Sequence, residues 1–343
     1  MKIFNSLVVS ALLGMSVNCA HTDKNVNAAS GSVPLHIRIS SFDAGDAVVD
    51  PVMMSELERI ADVKNYGINV FGLSDSSNNY LRYRESEDAR MVYRLYMTPR
   101  TVLPESIADS IALTEDTEHR EPHASPIMLR SSVDDLFDEE EFYENQGLDT
   151  MHRSIMNFSD IEGCDLTPEF LNSDWAYQVR TLFHEDWHST FDSWHPKKNI
   201  IHTIHEPAAM VLGYAGAIEY FRQEHGESSK EYAAAVQTYE DIRAEADVIT
   251  DSYAVLKKIY DSEMSDDAKI ASSEVVFDYM KSKGYHHNNA TLMDRIIYMK
   301  YFPLMTTVHE RAGSVTEFVN VMRDCPIEEK PAVEYLVKYL AGS

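Results

Sequence analysis

From about residue 165 to the C-terminus, apolar residues recur at helical spacing almost without interruption, which commits that half of the chain to packed helices. "WAYQVRTLFHEDWHSTF" places Trp175, Val179, Leu182 and Phe183 on one face behind a cap at Ser173 or Asp174. "PAAMVLGYAGAIEYFRQ" and the long "SSKEYAAAVQTYEDIRAEADVITDSYAVLKKIYDS" follow as helices. "DDAKIASSEVVFDYMKSKG" stops at Gly284, and "NNATLMDRIIYMKYFPLMTTVHERAG" is helical with a break at Pro303. Ser314 and Glu317 form a capping box, and the amphipathic "EEKPAVEYLVKYL" closes the chain.

The first half reads differently. "SELERIADVKNYGI" is a helix, while "LHIRISSF" and "MVYRLYM" have strand character. The acidic stretches "TEDTEHREPHASP" and "SSVDDLFDEEEFYE" read as exposed loops and a solvated helix face. The expected fold class is mainly α with a smaller α+β N-terminal part. The expected organisation is a signal segment at 1–19, a tether at 20–33, an α+β part at 34–150 and a helical part at 151–343. No internal repeat is visible.

Lys2 followed by "SLVVSALLGMSV" and a small-residue zone has the form of an export signal, too short for a comfortable membrane span. Two fates are open: cleavage near Ala20, or acylation of Cys19 as a bacterial lipoprotein. The lone cysteine at the end of the apolar run favours acylation, although Asn18 is larger than the usual residue there. Membrane contact is expected only through that anchor, with the protein in the periplasm or held at the outer membrane. An exported chain meets an oxidising compartment, so Cys164 and Cys325 either pair or lie apart as small buried hydrophobes. A net charge of −26 argues against nucleic acid as a partner, since a binder must neutralise phosphates.

The chemistry gathers at "HEDWHSTFDSWHPKKNIIHTIHEPAAM". His184 and His188 sit four positions apart on an expected helix and project from the same face, so both imidazoles can reach one Zn²⁺. Glu185 lies beside them, where a carboxylate can take a proton from water. A catalytic zinc site needs a third protein ligand. Glu206, 18 positions after His188, opens E-x-x-A at a distance that allows a turn and a returning helix. Gly213 on that helix would allow close approach. Glu206 has a second reading, because Thr203 and Glu206 are spaced as a capping box. Pro207 weakens it, being better suited to the first helical position. His195, His202 and His205 compete as ligands but read better as neighbours of the site, and Glu219 is the runner-up acid.

With those residues in view, the chain resembles a family of bacterial putative aminopeptidases, exported or lipoprotein zinc metallopeptidases of the gluzincin type. "LFHEDWH" is similar to the family's L-I-F-H-E-L-A-H, and "HEPAA" to its N-E-S-F-A. "HNNATLMDRIIYMKYFP" matches its N-N-A-x-L…Y…P block at Asn288, Asn289, Leu292, Tyr298 and Pro303. Upstream, "NYGINVFGLSDSSNNYLRY" is similar to a small helix followed by G-L…Y…Y. The resemblance implies a zincin-like helical metallopeptidase core and one Zn²⁺ on His184, His188 and Glu206. It implies Glu185 as general base, with Tyr298 the candidate oxyanion donor and Asn288 and Asn289 candidates for orienting a peptide or protein substrate; the alternative reading is that Asn288 caps its helix and Tyr298 belongs to the core. Asp186 and Trp187 stand where the family has Leu and Ala. Should they fill the position of the attacking water, a non-catalytic envelope lipoprotein, binding metal or acting as a scaffold, is the expected alternative. An endopeptidase with one protein substrate is another.

Overall fold

In the computed structural model, residues 42–43, 51–75, 77–84, 92–103, 127–130, 133–155, 164–195 and 202–342 are described. The signal segment, Cys19, the tether, the strand expected in "LHIRISSF" and the acidic stretch around residue 115 lie outside them. The apolar stripe of Leu57, Ile60 and Val63 is buried on α1 (Pro51–Tyr66), which tightens into a π turn at Gly67–Phe71. Gly72 ends that turn at φ 76°, where a side chain would be strained. The expected strand is β2 (Val92–Pro99), following the short β1 (Arg82–Tyr83). It is central in an antiparallel sheet of order β3–β2–β4, flanked by β3 (Ile127–Arg130) and β4 (Leu148–Ile155). The acidic segment between these two is α2 (Val133–Glu144), with Leu136 buried against Leu95 and Met97 of β2. β5 (Asp165–Leu166) pairs with β1 in parallel.

The rest is helical: α3 (Pro168–Leu171), α4 (Trp175–Trp194), α5 (His202–Glu224), α6 (Lys230–Tyr260), α7 (Asp266–Ser282), α8 (Asn289–Met299), α9 (Phe302–Ala312), α10 (Val315–Arg323) and α11 (Glu329–Ala341). The caps are those the sequence offers. Asp174 accepts from the Ala176 amide at 2.8 Å and Ser314 from that of Glu317 at 3.2 Å. Gly284 turns the chain at φ 92°, and Pro303 sits in the first turn of α9. No described helix is long and apolar enough to cross a membrane. The described residues belong to one compact unit, and the sheet of the first half packs on α8 of the second.

The centre of the core is the contact between α4 and α5. Val179, Leu182, Phe183 and Trp187 are fully buried and meet Ala208, Ala209, Val211 and Leu212 from α5. Burying each large side chain contributes roughly 1.5–3 kcal/mol. Phe183 lies edge-on to Phe71, with Tyr66 and Tyr220 beside it, which ties α1 to this helix pair. Cys164 and Cys325 are both buried and not joined in a disulfide, so the alternative of two separate small hydrophobes applies.

Candidate metal centre

α4 carries a polar stripe at helical spacing, Arg180, His184 and His188, on the side facing α5 and a cleft. Gly213 brings α5 in close: a Cβ there would lie 2.8 Å from the Arg180 carbonyl oxygen and 3.3 Å from His184 Cβ. That approach puts Glu206 opposite the two histidines. His184 Nε2 and His188 Nε2 are 3.1 Å apart, and Glu206 Oε2 is 3.4 Å from the first and 3.5 Å from the second. Three donors about 2.0–2.2 Å from a tetrahedral ion would be about 3.3–3.6 Å from one another. The triangle therefore has the size that a zinc ion needs, and two imidazoles with one carboxylate are a zinc donor set. Among the described residues this is the one grouping of three or more such side chains that could hold a metal.

The surroundings favour a cation. Burial works against a charged imidazole at His188, but the Glu206 carboxylate, with Glu185 and Asp192 behind it, raises its pKa to about 9. His205 packs edge-on against His188, with its ring nitrogens 3.3 Å from His188 Nδ1. This is where a partner for the outer nitrogen of a ligating histidine belongs. His195 caps the end of α4 against Phe191, and His202 opens α5. Glu219 lies 13 residues beyond Glu206 on the same helix and accepts from the Val315 amide at the start of α10.

Glu206 is in the second turn of α5, so it is not the N3 partner of a Thr203 cap. The helix starts at His202, ahead of Pro207. Pro207 is therefore inside the helix and not at its first position, and it removes one early backbone donor where few are yet bonded.

Asp186 and Trp187 point away from the cleft. Asp186 Oδ1 and Oδ2 accept from Lys64 Nζ at 2.7 and 2.9 Å, and Ser77 Oγ donates to Oδ1 at 2.6 Å. The Lys64 and Asp186 side chains are only 1% and 4% exposed. Trp187 is buried among Phe191, Trp194 and Phe318. Neither occupies the metal side of the helix. Asn79 adds to this outer clamp by donating to the Glu185 carbonyl at 2.7 Å and to Ser189 Oγ at 3.1 Å. Lys64, Ser77 and Asn79 were not singled out from sequence, since nothing local shows what a polar side chain more than a hundred positions away will meet.

The cleft beside the triangle has a volume of about 560 Å³ and is lined by His184, Glu185 and Tyr298 among others. Burial, with the Glu206 carboxylate adding to it, pushes the Tyr298 phenol up to about 12, so it stays a hydrogen-bond donor near neutral pH. Arg153 of β4 donates toward its oxygen at 3.5 Å while paired with Asp294 at 3.1 Å. Arg153, Arg180 and Arg295 all line the cleft, and none of them stands out by sequence pattern.

Asn288 and Asn289 are not brought to the cleft. Asn288 caps α8 through Thr291 and donates to the Thr150 carbonyl at 2.8 Å. Asn289 is wholly buried: it accepts from Tyr260 Oη at 2.9 Å and donates to the Pro99 carbonyl at 3.1 Å. Neither residue lines the cleft; the pair fastens the sheet to the helices, and Asn288 fits the helix-cap alternative. No family model, curated protein or solved structure matches the chain.

Proposed function

We propose that the chain is a zinc-dependent peptidase with a zincin-like helical core, and that the convergence of His184, His188 and Glu206 within 3.5 Å carries this reading. His184 and His188 would hold the ion through Nε2 and Glu206 through Oε2. Bound zinc supplies Lewis acidity, acidifying a water and polarising the scissile carbonyl. Glu185, next to His184 at the cleft, accepts the proton of the water that adds to the carbonyl carbon. It then passes that proton to the departing amine nitrogen as the C–N bond breaks, leaving a carboxylate and an amine. Tyr298 donates its phenolic hydrogen to the carbonyl oxygen as that oxygen gains charge, and Arg153 holds the phenol in place.

Asp186 and Trp187 lie on the far side of the helix, so the water position stays clear and the catalytic reading is favoured over the scaffold. The family resemblance supports the narrower assignment of an aminopeptidase. The N-terminal signal and Cys19 support a place in the bacterial cell envelope.

Glu185→Gln keeps the shape of the site and all three ligands. It is expected to retain zinc while peptide hydrolysis falls by about 10²–10⁴-fold. Unchanged turnover in that variant would sink the mechanism.

A further inference from the structure

The three arginines that line the cleft are not equivalent. Arg153 is paired with Asp294 and Arg295 with Glu245. Arg180 makes no ion pair with any described carboxylate, although it lies one helical turn before His184 on the same face of α4. Its guanidinium is held in place all the same. Nη1 donates to Tyr214 Oη at 2.6 Å, and Cζ lies 4.7 Å from the centre of the Tyr214 ring and 4.9 Å from that of Tyr177. Tyr214 is itself buried and stacked on Tyr239.

Two aromatic rings thus fix a guanidinium by cation–π contact and one hydrogen bond, and the rest of its donor fork has no partner among the described residues. Tyr and Arg are strong carboxylate receptors in this arrangement, because the fork is oriented before the anion arrives. Asp241, Glu245 and Glu185 also line the cleft, but Glu245 is taken by Arg295, Asp241 accepts from Gln237 at the exposed edge, and Glu185 makes no ion pair with Arg180. In a chain of net charge −26, an unneutralised arginine held rigid beside the reaction centre calls for a ligand of opposite sign.

We propose that Arg180 is the specificity-determining residue of the cleft and binds a peptide carboxylate next to the scissile bond; this rests on the peptidase reading above. Arg180 and His184 are four positions apart on the helix, an axial rise of about 6 Å. That matches one or two residues of extended peptide at about 3.3–3.6 Å each. The carboxylate is therefore that of an Asp or Glu side chain adjacent to the cleaved bond, or the C-terminal carboxylate of a very short peptide.

The test separates binding from cleavage by using the zinc-loaded full chain carrying Glu185→Gln. Its affinity is measured for peptide pairs that differ only as Glu against Gln beside the central bond, and as free acid against C-terminal amide. One pair is expected to show a preference of about 10-fold or more for the carboxylate form, and which pair does so identifies the source. In the double variant with Arg180→Gln the preference should fall to about twofold or less, whereas Arg180→Lys should restore only part of it. Equal affinity within both pairs, or a preference that survives Arg180→Gln, would overturn the assignment. Should the wild-type chain show the preference yet cleave none of these peptides, the peptidase reading fails and the carboxylate site stands.

Discussion

The two sides of α4 carry neighbouring acids with opposite fates. Glu185 and Asp186 are adjacent in sequence, yet a single residue step turns the side chain by about 100° around the helix. Glu185 opens onto a cleft with His184, while Asp186 is sealed in the core by Lys64 and Ser77. The cleft side gathers groups that an incoming cation or substrate can satisfy. The core side gathers groups that already satisfy one another. A polar residue on this helix is thus functional or structural according to which neighbour completes it.

The contrast can be broken most severely from the core side. Asp186→Ala strands the Lys64 charge in the interior, and loss of one partner of a buried pair costs about 3–5 kcal/mol. Chemical denaturation should register that loss, while zinc bound per folded chain stays the same. His184→Ala should do the reverse, releasing zinc with little change in the stability of the metal-free protein. If the two variants gave the same pattern, the division between the two sides would be mistaken.

Gly213→Ala tests what brings the sides of the site together. Its Cβ would collide with the Arg180 carbonyl oxygen, so α5 must move away from α4. A stability loss of about 1–3 kcal/mol is expected, together with weaker zinc binding as Glu206 withdraws. A variant as stable as wild type with full zinc affinity would show that the helix contact does not set the ligand distance.

The smallest effect concerns His309 of α9, which is not one of the metal-site residues. Burial, helped by Arg243, lowers His309 from 6.5 to about 4, so the folded state holds it neutral. The stability this contributes is present above pH 6.5 and lost as pH falls toward 4, because the unfolded chain takes up the proton first. Thermal melts of His309→Gln should lose less stability than wild type between pH 6.5 and 5. Parallel curves would assign the acid sensitivity to other groups.

Much of this was legible in the sequence, for identifiable reasons. The helical half was readable because its apolar spacing and its caps, Asp174, Ser314 and Gly284, agree with one another. His184, His188 and Glu206 were readable because helix periodicity alone places the first two together and the third needs only a returning helix. The strand β4 was not, since "LDTMHRSI" takes its place from pairing along the whole of β2. The sequence left Asn288 open between a helix cap and a substrate group, with Asn289 beside it as a substrate candidate, because a polar pair with no apolar pattern gives no sign of its partners. Those partners, Thr150, Pro99 and Tyr260, come from other elements. Arg180 was hidden for the same reason: what sets it apart is the Tyr177 and Tyr214 rings that hold it, and that it is ion-paired with no described carboxylate.

The most direct measurement is the zinc content of the purified full chain after equilibration with excess zinc and removal of what is loosely held. One zinc per chain is expected in the wild type, and its loss in a folded Glu206→Ala variant. A wild-type chain that holds no zinc, or a Glu206→Ala variant that keeps a full equivalent, would contradict it.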